Sequence, residues 1–238
     1  MKIALLGYGK MGKAIEQLAL AAGHEIGLRI DASNTHELTL DGLRGHDVAI
    51  EFSRPDTAFD NIILSLEAGL PIISGTTAWL DRLEEVYNHC EAKQGAFLYA
   101  SNFSLGVNLF FVLNQRLAEL MRQYPSYAIR VEEEHHTEKL DAPSGTAITL
   151  AEGLLPILPN KTDWSHPPRS GDETIPILAE RIPDVPGTHR IIYENEIDSI
   201  QIQHLAKSRE GFARGALMAA EWIVGKQGIF SMKDVLGV

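Results

Sequence analysis

The sequence is short of cysteine and of positive charge, and both shortages limit what the protein can be. Cys90 is the one cysteine among 238 residues, so an internal disulfide is impossible and a reducing compartment such as the cytoplasm is expected. Lysine and arginine number 21 against 32 aspartate and glutamate residues, which gives a net charge of −11. This acidic balance argues against nucleic acid or an anionic membrane as the main partner.

Long hydrophobic runs are also missing. No stretch approaches the roughly 18 apolar residues that a membrane span needs, and the opening segment MKIALLGYGK becomes glycine-rich too early for a secretory signal. Apolar residues still make up 45% of the chain, as in ordinary globular proteins with a proper core. We therefore expect a cytoplasmic protein that does not bind membranes. If its ligand is an anion, positive charge must be concentrated locally.

The first half of the chain alternates predicted strands with predicted helices. Helical patterns cover residues 9–22, 55–68 and 79–93, and the strand-like segments are KIALLG, EIGLRID, VAIEFS, PIISGTT and GAFLYASNFS. This alternation predicts an α/β fold with a Rossmann-like, doubly wound parallel sheet and helices on both faces. Such sheets bind ligands outside the carboxyl ends of their strands.

The second half predicts a different architecture. A long apolar helix over residues 105–122 leads to YAIRVEEEHH, a helix start at Ser144 and a proline-rich loop over residues 156–168. Three strand-like segments with hairpin-like spacing follow: TIPILAERI, HRIIYEN and DSIQIQHLA. We predict a first domain over residues 1–103, with a C-terminal helix over 213–238 packing back on it. The second domain, over 104–212, is predicted to be α+β with a mixed or antiparallel sheet.

Gly7, Gly9 and Gly12 form a G-x-G-x-x-G motif between the first strand and the first helix. The three glycines allow a tight turn, close approach of a pyrophosphate to the backbone, and close packing of the helix on the strand. The helix N-terminus adds N–H groups and partial positive charge. Asp31 lies 19 positions after Gly12, close to the roughly 20 expected for a carboxylate that binds the adenosine ribose. The motif predicts dinucleotide binding, and the alternative is a plain strand–helix turn.

The identity of Asp31 favours NADH over NADPH, because a carboxylate repels a 2′-phosphate. Ala32 and Ser33 supply no arginine for that phosphate, although Arg29 could intrude from upstream. Two further loops belong to the same sheet edge and carry residues 75–77 and 101–103. Their small and amide residues could hydrogen-bond ribose or nicotinamide, and turn chemistry explains them equally well.

The segment HHTEKLDAPSGT, residues 135–146, concentrates cations in an acidic chain. His135 and His136 end a predicted strand, so their side chains point to opposite faces, and Lys139 follows in the loop. Ser144 is a typical N-cap, and the Gly-Thr pair after it would begin a helix whose N–H groups form an anion site. One loop therefore presents imidazole, ammonium and a helix N-terminus, which suits a carboxylate ligand and a proton donor.

Three rival interpretations of this segment are weaker. A metal site lacks the i,i+4 histidine pair and the third ligand of the familiar zinc patterns. A nucleophilic Ser144 lacks a partner base and the G-x-S-x-G setting. Structural capping beside an incidental histidine pair needs no ligand at all. The sequence favours anion binding with acid catalysis, and it predicts no metal.

The stretch EHHTEKLDAPSGTA resembles the signature of the bacterial dihydrodipicolinate reductases, which follows approximately E-x-H-H-x-x-K-x-D-A-P-S-G-T-A. The likeness covers both predicted domains and continues in GKMG, EFSRPD, GTT, SNFSLGVN, SREGFARGAL and GIFSMKDVLGV. The first loop departs from the commoner G-x-x-G-R-M-G form, because it is one residue shorter and has Lys10 in place of the usual arginine.

The resemblance implies an NADH- or NADPH-dependent reductase of 4-hydroxy-tetrahydrodipicolinate, acting with loss of water on the route to diaminopimelate and lysine. It also implies a small dicarboxylate as substrate, a homotetramer, and roles in substrate binding and oligomerisation for the second domain. The alternatives are another NAD-dependent two-domain dehydrogenase of an amino or keto acid, and a non-catalytic dinucleotide sensor. The complete HHTEKLDAPSGT loop disfavours both.

Matched by motif position, the resemblance implies roles for residues in both domains. His135 and Lys139 would be catalytic and carry the proton. Substrate would be bound by His136, Ser144, Gly145 and Thr146. The cofactor would be bound by Gly7, Tyr8, Gly9, Lys10, Met11, Gly12, Asp31, Arg54, Gly75, Thr76, Thr77, Ala100, Ser101, Asn102 and Phe103.

Overall fold

The computed structural model describes residues 1–139, 141–169, 171–208 and 210–238, so Leu140 of the HHTEKLDAPSGT segment lies outside the described residues. The chain divides into two compact units, Met1–Leu105 with Glu210–Val238, and Gly106–Arg209. Among the described residues, no helix combines the length and apolar character that crossing a membrane requires.

The first unit is built on a six-stranded parallel sheet. In chain order its strands are β1 (Lys2–Leu6), β2 (Glu25–Ile30), β3 (Val48–Glu51), β4 (Ile72–Ser74), β5 (Ala96–Tyr99) and β11 (Gly228–Phe230). They lie in the order β11-β5-β4-β3-β1-β2. Strands β1, β3 and β4 are almost entirely buried, which explains their continuous apolar runs, since helices cover both faces of a parallel sheet.

Helices pack on both faces of this sheet. They are α1 (Lys10–Ala21), α2 (Leu40–Leu43), α3 (Pro55–Glu67), α4 (Leu83–Ala92), α7 (Glu210–Ile223) and α8 (Met232–Leu236). One core contains Ile15 of α1 and Ala216 of α7, and the other contains Ile62 of α3 and Val86 of α4. The predicted doubly wound sheet is confirmed. Its strand order reverses between β1 and β3, which is where such sheets bind ligands.

The C-terminal segment differs from the prediction of a single helix over residues 213–238. Helix α7 ends at Ile223, and the three residues of β11 then pair in parallel with β5. The triplet Gly-Ile-Phe is too short to read as a strand from its own sequence, because its strand conformation depends on hydrogen bonds to β5. The predicted helix over 79–93 likewise begins with a 3-10 turn at Leu80–Arg82.

The second unit holds the predicted mixed sheet. Its elements are α5 (Leu105–Met121), β6 (Ala128–His135), α6 (Gly145–Glu152), β7 (Asp163–Ser165), β8 (Thr174–Arg181), β9 (Thr188–Glu194) and β10 (Ser199–Leu205). The order is β10-β9-β6-β8-β7, with β9 antiparallel to β6 and β10, and β8 parallel to β6 and β7. Val131 and Ile191 of the sheet pack on Phe110 and Leu150 of the helices. Strand β7 lies inside the segment predicted as a proline-rich loop.

Gly215 brings α7 close to the chain that follows β5, and this generates a stability prediction. A Cβ at Gly215 would lie 1.7 Å from Phe103 O, whereas a Cβ at Gly211 on the same helix would come no closer than 3.4 Å, to Ser104 Oγ. Gly215→Ala is expected to lower the free energy of unfolding by about 1–3 kcal/mol through overpacking. Gly211→Ala gains helix propensity and is expected to be neutral or stabilising. Equal urea midpoints for the two variants would contradict this packing.

Candidate functional site

The glycine loop of the first unit lies at the reversal of strand order. Gly7 follows β1 with a φ of +105°, and a Cβ there would lie 2.1 Å from Phe52 O in the chain after β3. A side chain is therefore excluded both by the backbone conformation and by space. The amides of Gly7 and Tyr8 donate to Ile30 O at 2.9 and 2.8 Å, which fixes the loop to the end of β2.

The start of α1 is open. A Cβ at Gly9 would meet nothing within 4 Å, whereas one at Gly12 would lie 2.4 Å from Gly7 O, so helix and loop approach closely. Gly9 is the N-cap and supplies no side-chain cap, and Lys10 and Met11 begin the first turn. The first-turn N–H groups are therefore presented as in a phosphate-binding helix terminus.

Asp31 and Arg54 line the same cleft as Gly7, Tyr8 and Gly9. Asp31 Oδ1 accepts hydrogen bonds from Ser33 Oγ at 2.6 Å and Ser33 N at 2.7 Å, and these bonds lower the pKa of the carboxyl. Arg54 occupies the N-cap position of α3. Its guanidinium pairs with Asp56 at 3.1 Å, and its side chain is 66% exposed. The cleft thus joins a helix N-terminus to an ionised carboxylate at the end of β2.

Glu51 immediately precedes Phe52 and Ser53 of this cleft, and the sequence motifs predict no role for it. It ends β3, is fully buried, and accepts hydrogen bonds from Ser53 N at 2.8 Å, Ser74 Oγ at 2.6 Å and Thr76 Oγ1 at 3.0 Å, and also from Ser53 Oγ. These bonds tie together the chains that follow β3 and β4. The one feature of the sequence that indicates this role of Glu51 is an acidic residue at the end of an otherwise apolar strand.

The loop after β4 packs closely on the chain after β3. A Cβ at Gly75 would lie 2.1 Å from the Phe52 ring, so glycine is required for this approach. Thr76 is buried with its hydroxyl on Glu51, whereas Thr77 is exposed. Of the three predicted contacts in this loop, Thr77 is the one whose side chain is open to a ligand.

The loop after β5 also contains both exposed and buried residues. Ala100 N donates to Ser74 O at 3.2 Å, and Ser101 is exposed. Asn102 Oδ1 accepts from Ser104 N at 2.9 Å. The Phe103 ring is 2% exposed and lies in the core of the first unit, so its side chain packs instead of facing the surface.

Glu133 is the centre of a second cluster, in the second unit. Its side chain is fully buried, and Oε1 accepts a hydrogen bond from Ser144 N at 3.0 Å and lies 3.4 Å from Arg181 Nη2. Oε2 lies 3.4 Å from His135 Nδ1 and 3.6 Å from His189 Nε2. Burial favours a raised pKa for Glu133, but its contacts with His189 and Ser144 outweigh burial and lower the pKa to about 2. A buried carboxylate is thus kept ionised.

His135 ends β6 and is 8% exposed. Its ring meets the His189 ring edge-on, with centroids 5.1 Å apart. Burial lowers the pKa of His135 from its ordinary 6.5 to about 4, although the charge of Glu133 acts in the opposite direction. His135 is therefore a neutral imidazole at neutral pH in this structure.

Ser144 occupies the N-cap of α6, as predicted. Its Oγ accepts a hydrogen bond from Ala147 N at 3.2 Å and lies 3.3 Å from His189 Nε2. Gly145 and Thr146 form the first turn, and a Cβ at Gly145 would meet nothing within 4 Å. The helix N-terminus is therefore anchored on its inner side by Glu133 and open beside Gly145.

Lys139 belongs to the same loop but is held by other groups. Its Nζ donates to both carboxylate oxygens of Asp141, at 2.8 and 2.7 Å. Arg181 donates to Lys139 O at 3.2 Å and to Asp141 O at 2.5 Å while it contacts Glu133. Arg181 therefore cross-links the lysine loop to the buried carboxylate. No local sequence pattern predicts this role, because Arg181 lies 42 residues after Lys139.

His136 lies apart from this cluster. It lines a cleft with Thr137, Glu138 and Pro183 to Pro186. The structure thus brings His135 and Ser144 together around Glu133, while Lys139 pairs with Asp141 and His136 faces another cleft.

Glu133, His135 and His189 place three possible metal-ligand atoms within 4.8 Å of one another. The spacing of histidines in the sequence does not predict this trio, because His189 comes from β9. In the structure Arg181 supplies positive charge 3.4 Å from the Glu133 carboxylate. The carboxylate of the trio therefore has a positively charged partner within the protein.

The two sites define a class of protein. A glycine loop at the reversal of a doubly wound sheet, followed by a carboxylate at the end of β2, forms a nicotinamide-dinucleotide site. A separate mixed-sheet unit carries buried ionisable residues beside a helix N-terminus. This combination is typical of two-domain NAD(P)-dependent oxidoreductases.

Comparison with known proteins identifies the family. Residues 1–103 match the family model for the N-terminus of dihydrodipicolinate reductase, and residues 106–236 match that for its C-terminus. The chain belongs to the dihydrodipicolinate reductase family.

Individual relatives agree with this assignment. The 4-hydroxy-tetrahydrodipicolinate reductase of Christiangramia forsetii is 49% identical over 237 residues, or 99% of this chain and 98% of that one. The enzyme of the same name from Neisseria meningitidis serogroup C is 33% identical over 94% of this chain and 84% of its own. The dipicolinate-bound dihydrodipicolinate reductase from Paenisporosarcina sp. TG-14 shares the fold, with a TM-score of 0.76 at 23% identity and 97% coverage of both chains.

The lowered pKa of His135 predicts an acid-sensitive stability. Unfolded His135 binds a proton near its ordinary pKa of 6.5, whereas the folded protein does so only near 4, so acid favours unfolding between these values. Lowering the pH from about 7 to about 5 is expected to remove on the order of 1–2 kcal/mol through this residue. Urea unfolding measures the loss.

His135→Gln is expected to show a correspondingly smaller loss over the same pH range. His36→Gln, which changes an exposed histidine of the first unit, is the matched control and should keep the wild-type dependence. An identical pH dependence in wild type and His135→Gln would contradict the lowered pKa.

Proposed function

We propose that this chain is a 4-hydroxy-tetrahydrodipicolinate reductase, which reduces that compound to tetrahydrodipicolinate with loss of water on the route to diaminopimelate and lysine. The relative that is 49% identical over nearly the whole chain bears this name. The observation that carries the proposal is the cluster in which Glu133 holds Ser144 at the N-terminus of α6 beside His135. A dicarboxylate needs N–H groups and imidazole brought together in this way, and the ammonium of Lys139 lies in the same loop.

The cleft of the first unit fits the dinucleotide. The space beside Gly9 and the start of α1 would take the pyrophosphate, and Asp31 would take the adenosine ribose hydroxyls. Thr77 and Ser101 would reach the other ribose and the nicotinamide. The bound cofactor supplies a hydride from nicotinamide C4.

The cofactor is proposed to be NADH. The ionised carboxylate of Asp31 lies in the cleft where the ribose binds, and it would repel a 2′-phosphate. Its neighbour Ala32 lines the same cleft and offers no positive charge.

Substrate binding is proposed for the loop and helix of the second unit. The first turn of α6, at Gly145 and Thr146, would receive one carboxylate of the substrate. His136 and Lys139 would supply positive charge or hydrogen bonds for the other. Arg181 contributes by fixing the backbone of the lysine loop, through Lys139 O and Asp141 O.

Lys139 is proposed as the group that supplies the proton. Hydride addition to the ring leaves an electron-rich atom that must be protonated, and the donor must lie within hydrogen-bond reach. His135 is neutral at pH 7 because its pKa is about 4, whereas Lys139 is an ammonium paired with Asp141. His135 would act as a hydrogen-bonding partner of the substrate, and the charge of a bound dianion would favour its protonation.

A cytoplasmic homotetramer is proposed as the assembly. The face of the mixed sheet opposite its core carries alternating charges, with Arg130 on Glu132 and Glu194, and Arg190 on Glu134. Leu178 and Leu205 are exposed on the same face. Since the paired charges and apolar groups are self-complementary, this face suits contact with a second copy.

An assay with freshly made condensation product of pyruvate and aspartate semialdehyde tests the function. Loss of NADH absorbance is expected, with a lower Michaelis constant for NADH than for NADPH. Lys139→Ala is expected to lower turnover roughly 100-fold or more, the scale of acid–base catalysis. His135→Ala is expected to lower turnover by a similar factor of roughly 100, because it removes the hydrogen-bonding partner of the substrate beside the helix N-terminus.

The control for these variants is Lys161→Ala, since Lys161 Nζ donates to the carbonyls of Asp172 and Thr174 in another loop. It should keep wild-type turnover. Near wild-type turnover in both site variants would refute their roles. Activity on an amino or keto acid in place of this substrate would favour the other dehydrogenase, and cofactor binding without turnover would favour a sensor.

A further inference from the structure

Arg29 lies near the adenosine end of the cleft, but its charge is already paired. It precedes Asp31 by two residues, in step with the two-residue period of a strand. Arg29 Nε donates to Glu16 Oε1 at 2.7 Å, Nη2 donates to the same oxygen, and Nη1 donates to Ile26 O at 3.2 Å. All three guanidinium nitrogens are therefore bound within the first unit.

Tyr8 connects this ion pair to the cofactor cleft. Tyr8 Oη donates to Glu16 Oε2, the carboxylate oxygen that Arg29 does not use, and Tyr8 itself lines the cleft. The Glu16 side chain is 14% exposed and that of Arg29 is 39% exposed. Glu16 is thus a largely enclosed anion that restrains a partly accessible arginine.

The charge of Arg29 matters because of what NADPH requires. An arginine near the end of β2 is the residue that accommodates the 2′-phosphate in folds of this type, through paired N–H donors. Here one N–H of each guanidinium nitrogen is directed to Glu16 or to a carbonyl of the same strand. A phosphate placed beside Asp31 would find Arg29 neutralised.

We infer that Glu16 and Tyr8 are specificity-determining residues, which select NADH by withholding Arg29 from the 2′-phosphate. The inference rests on the proposed use of a nicotinamide dinucleotide. Repulsion by Asp31 is then one of two causes of the preference for NADH. The other is that α1 and the glycine loop hold a potential phosphate-binding residue, Arg29, in an ion pair.

Fluorescence titration with NADH and NADPH, without substrate, tests this. Glu16→Gln keeps the shape of the side chain and removes its charge, so Arg29 becomes available. The Kd for NADPH is expected to fall about threefold to tenfold, while that for NADH changes less than about twofold. Glu25→Gln removes one exposed negative charge from β2 and should leave the ratio of the two Kd values unchanged.

The double variant Glu16→Gln/Arg29→Gln is expected to return to the wild-type ratio. An unchanged ratio in Glu16→Gln would overturn the inference. So would an equal gain in the double variant, because another cation such as Lys13 would then bind the phosphate. Thermal unfolding of each variant confirms that it is folded.

The proposed function is judged separately. If wild type binds neither nucleotide, the inference and the proposed function fail together. If the nucleotide ratios behave as expected but the substrate is not reduced, the proposed function fails and the inference stands.

Discussion

The arrangement of the second unit depends on how one buried carboxylate is satisfied. Glu133 is fully enclosed, and an isolated charge there would be prohibitively costly. The N–H of Ser144, the guanidinium of Arg181 and the ring of His189 reach it from distant parts of the chain, and the ring of His135 reaches it from the same strand. Through its contacts with this one group, the fold fixes a helix N-terminus, a histidine and the lysine loop relative to one another.

The first unit also contains a buried carboxylate, that of Glu51. Glu51 ends the buried strand β3, and its carboxylate accepts hydrogen bonds from neutral donors, the hydroxyls of Ser53, Ser74 and Thr76. These bonds hold the loops at the edge of the sheet where a dinucleotide binds. In both units a buried carboxylate on a strand contacts the loops that carry the candidate site residues, and the exposed residues of those loops are left for ligands.

The sequence predicted those parts of the molecule whose determinants are local. The glycine loop, the N-cap at Ser144 and the alternation of strands and helices follow from spacing, capping and periodicity. Glu133 was hidden in a run of three glutamates that resembles a solvated strand face, and Arg181 and His189 act through pairings of β8 and β9 with β6. Strand β11 was missed because its conformation depends on β5. Each of these requires contacts between distant segments, which a local pattern does not contain.

The central claim is that the cluster organised by Glu133 presents the first turn of α6 to a dicarboxylate. A crystal structure with bound dipicolinate, a planar dicarboxylate, tests it most directly. We expect one carboxylate of dipicolinate to contact the backbone N–H groups of Gly145 and Thr146, and the other carboxylate to lie near Lys139 or His136. Dipicolinate bound away from residues 135–146, with that helix N-terminus untouched, would contradict it.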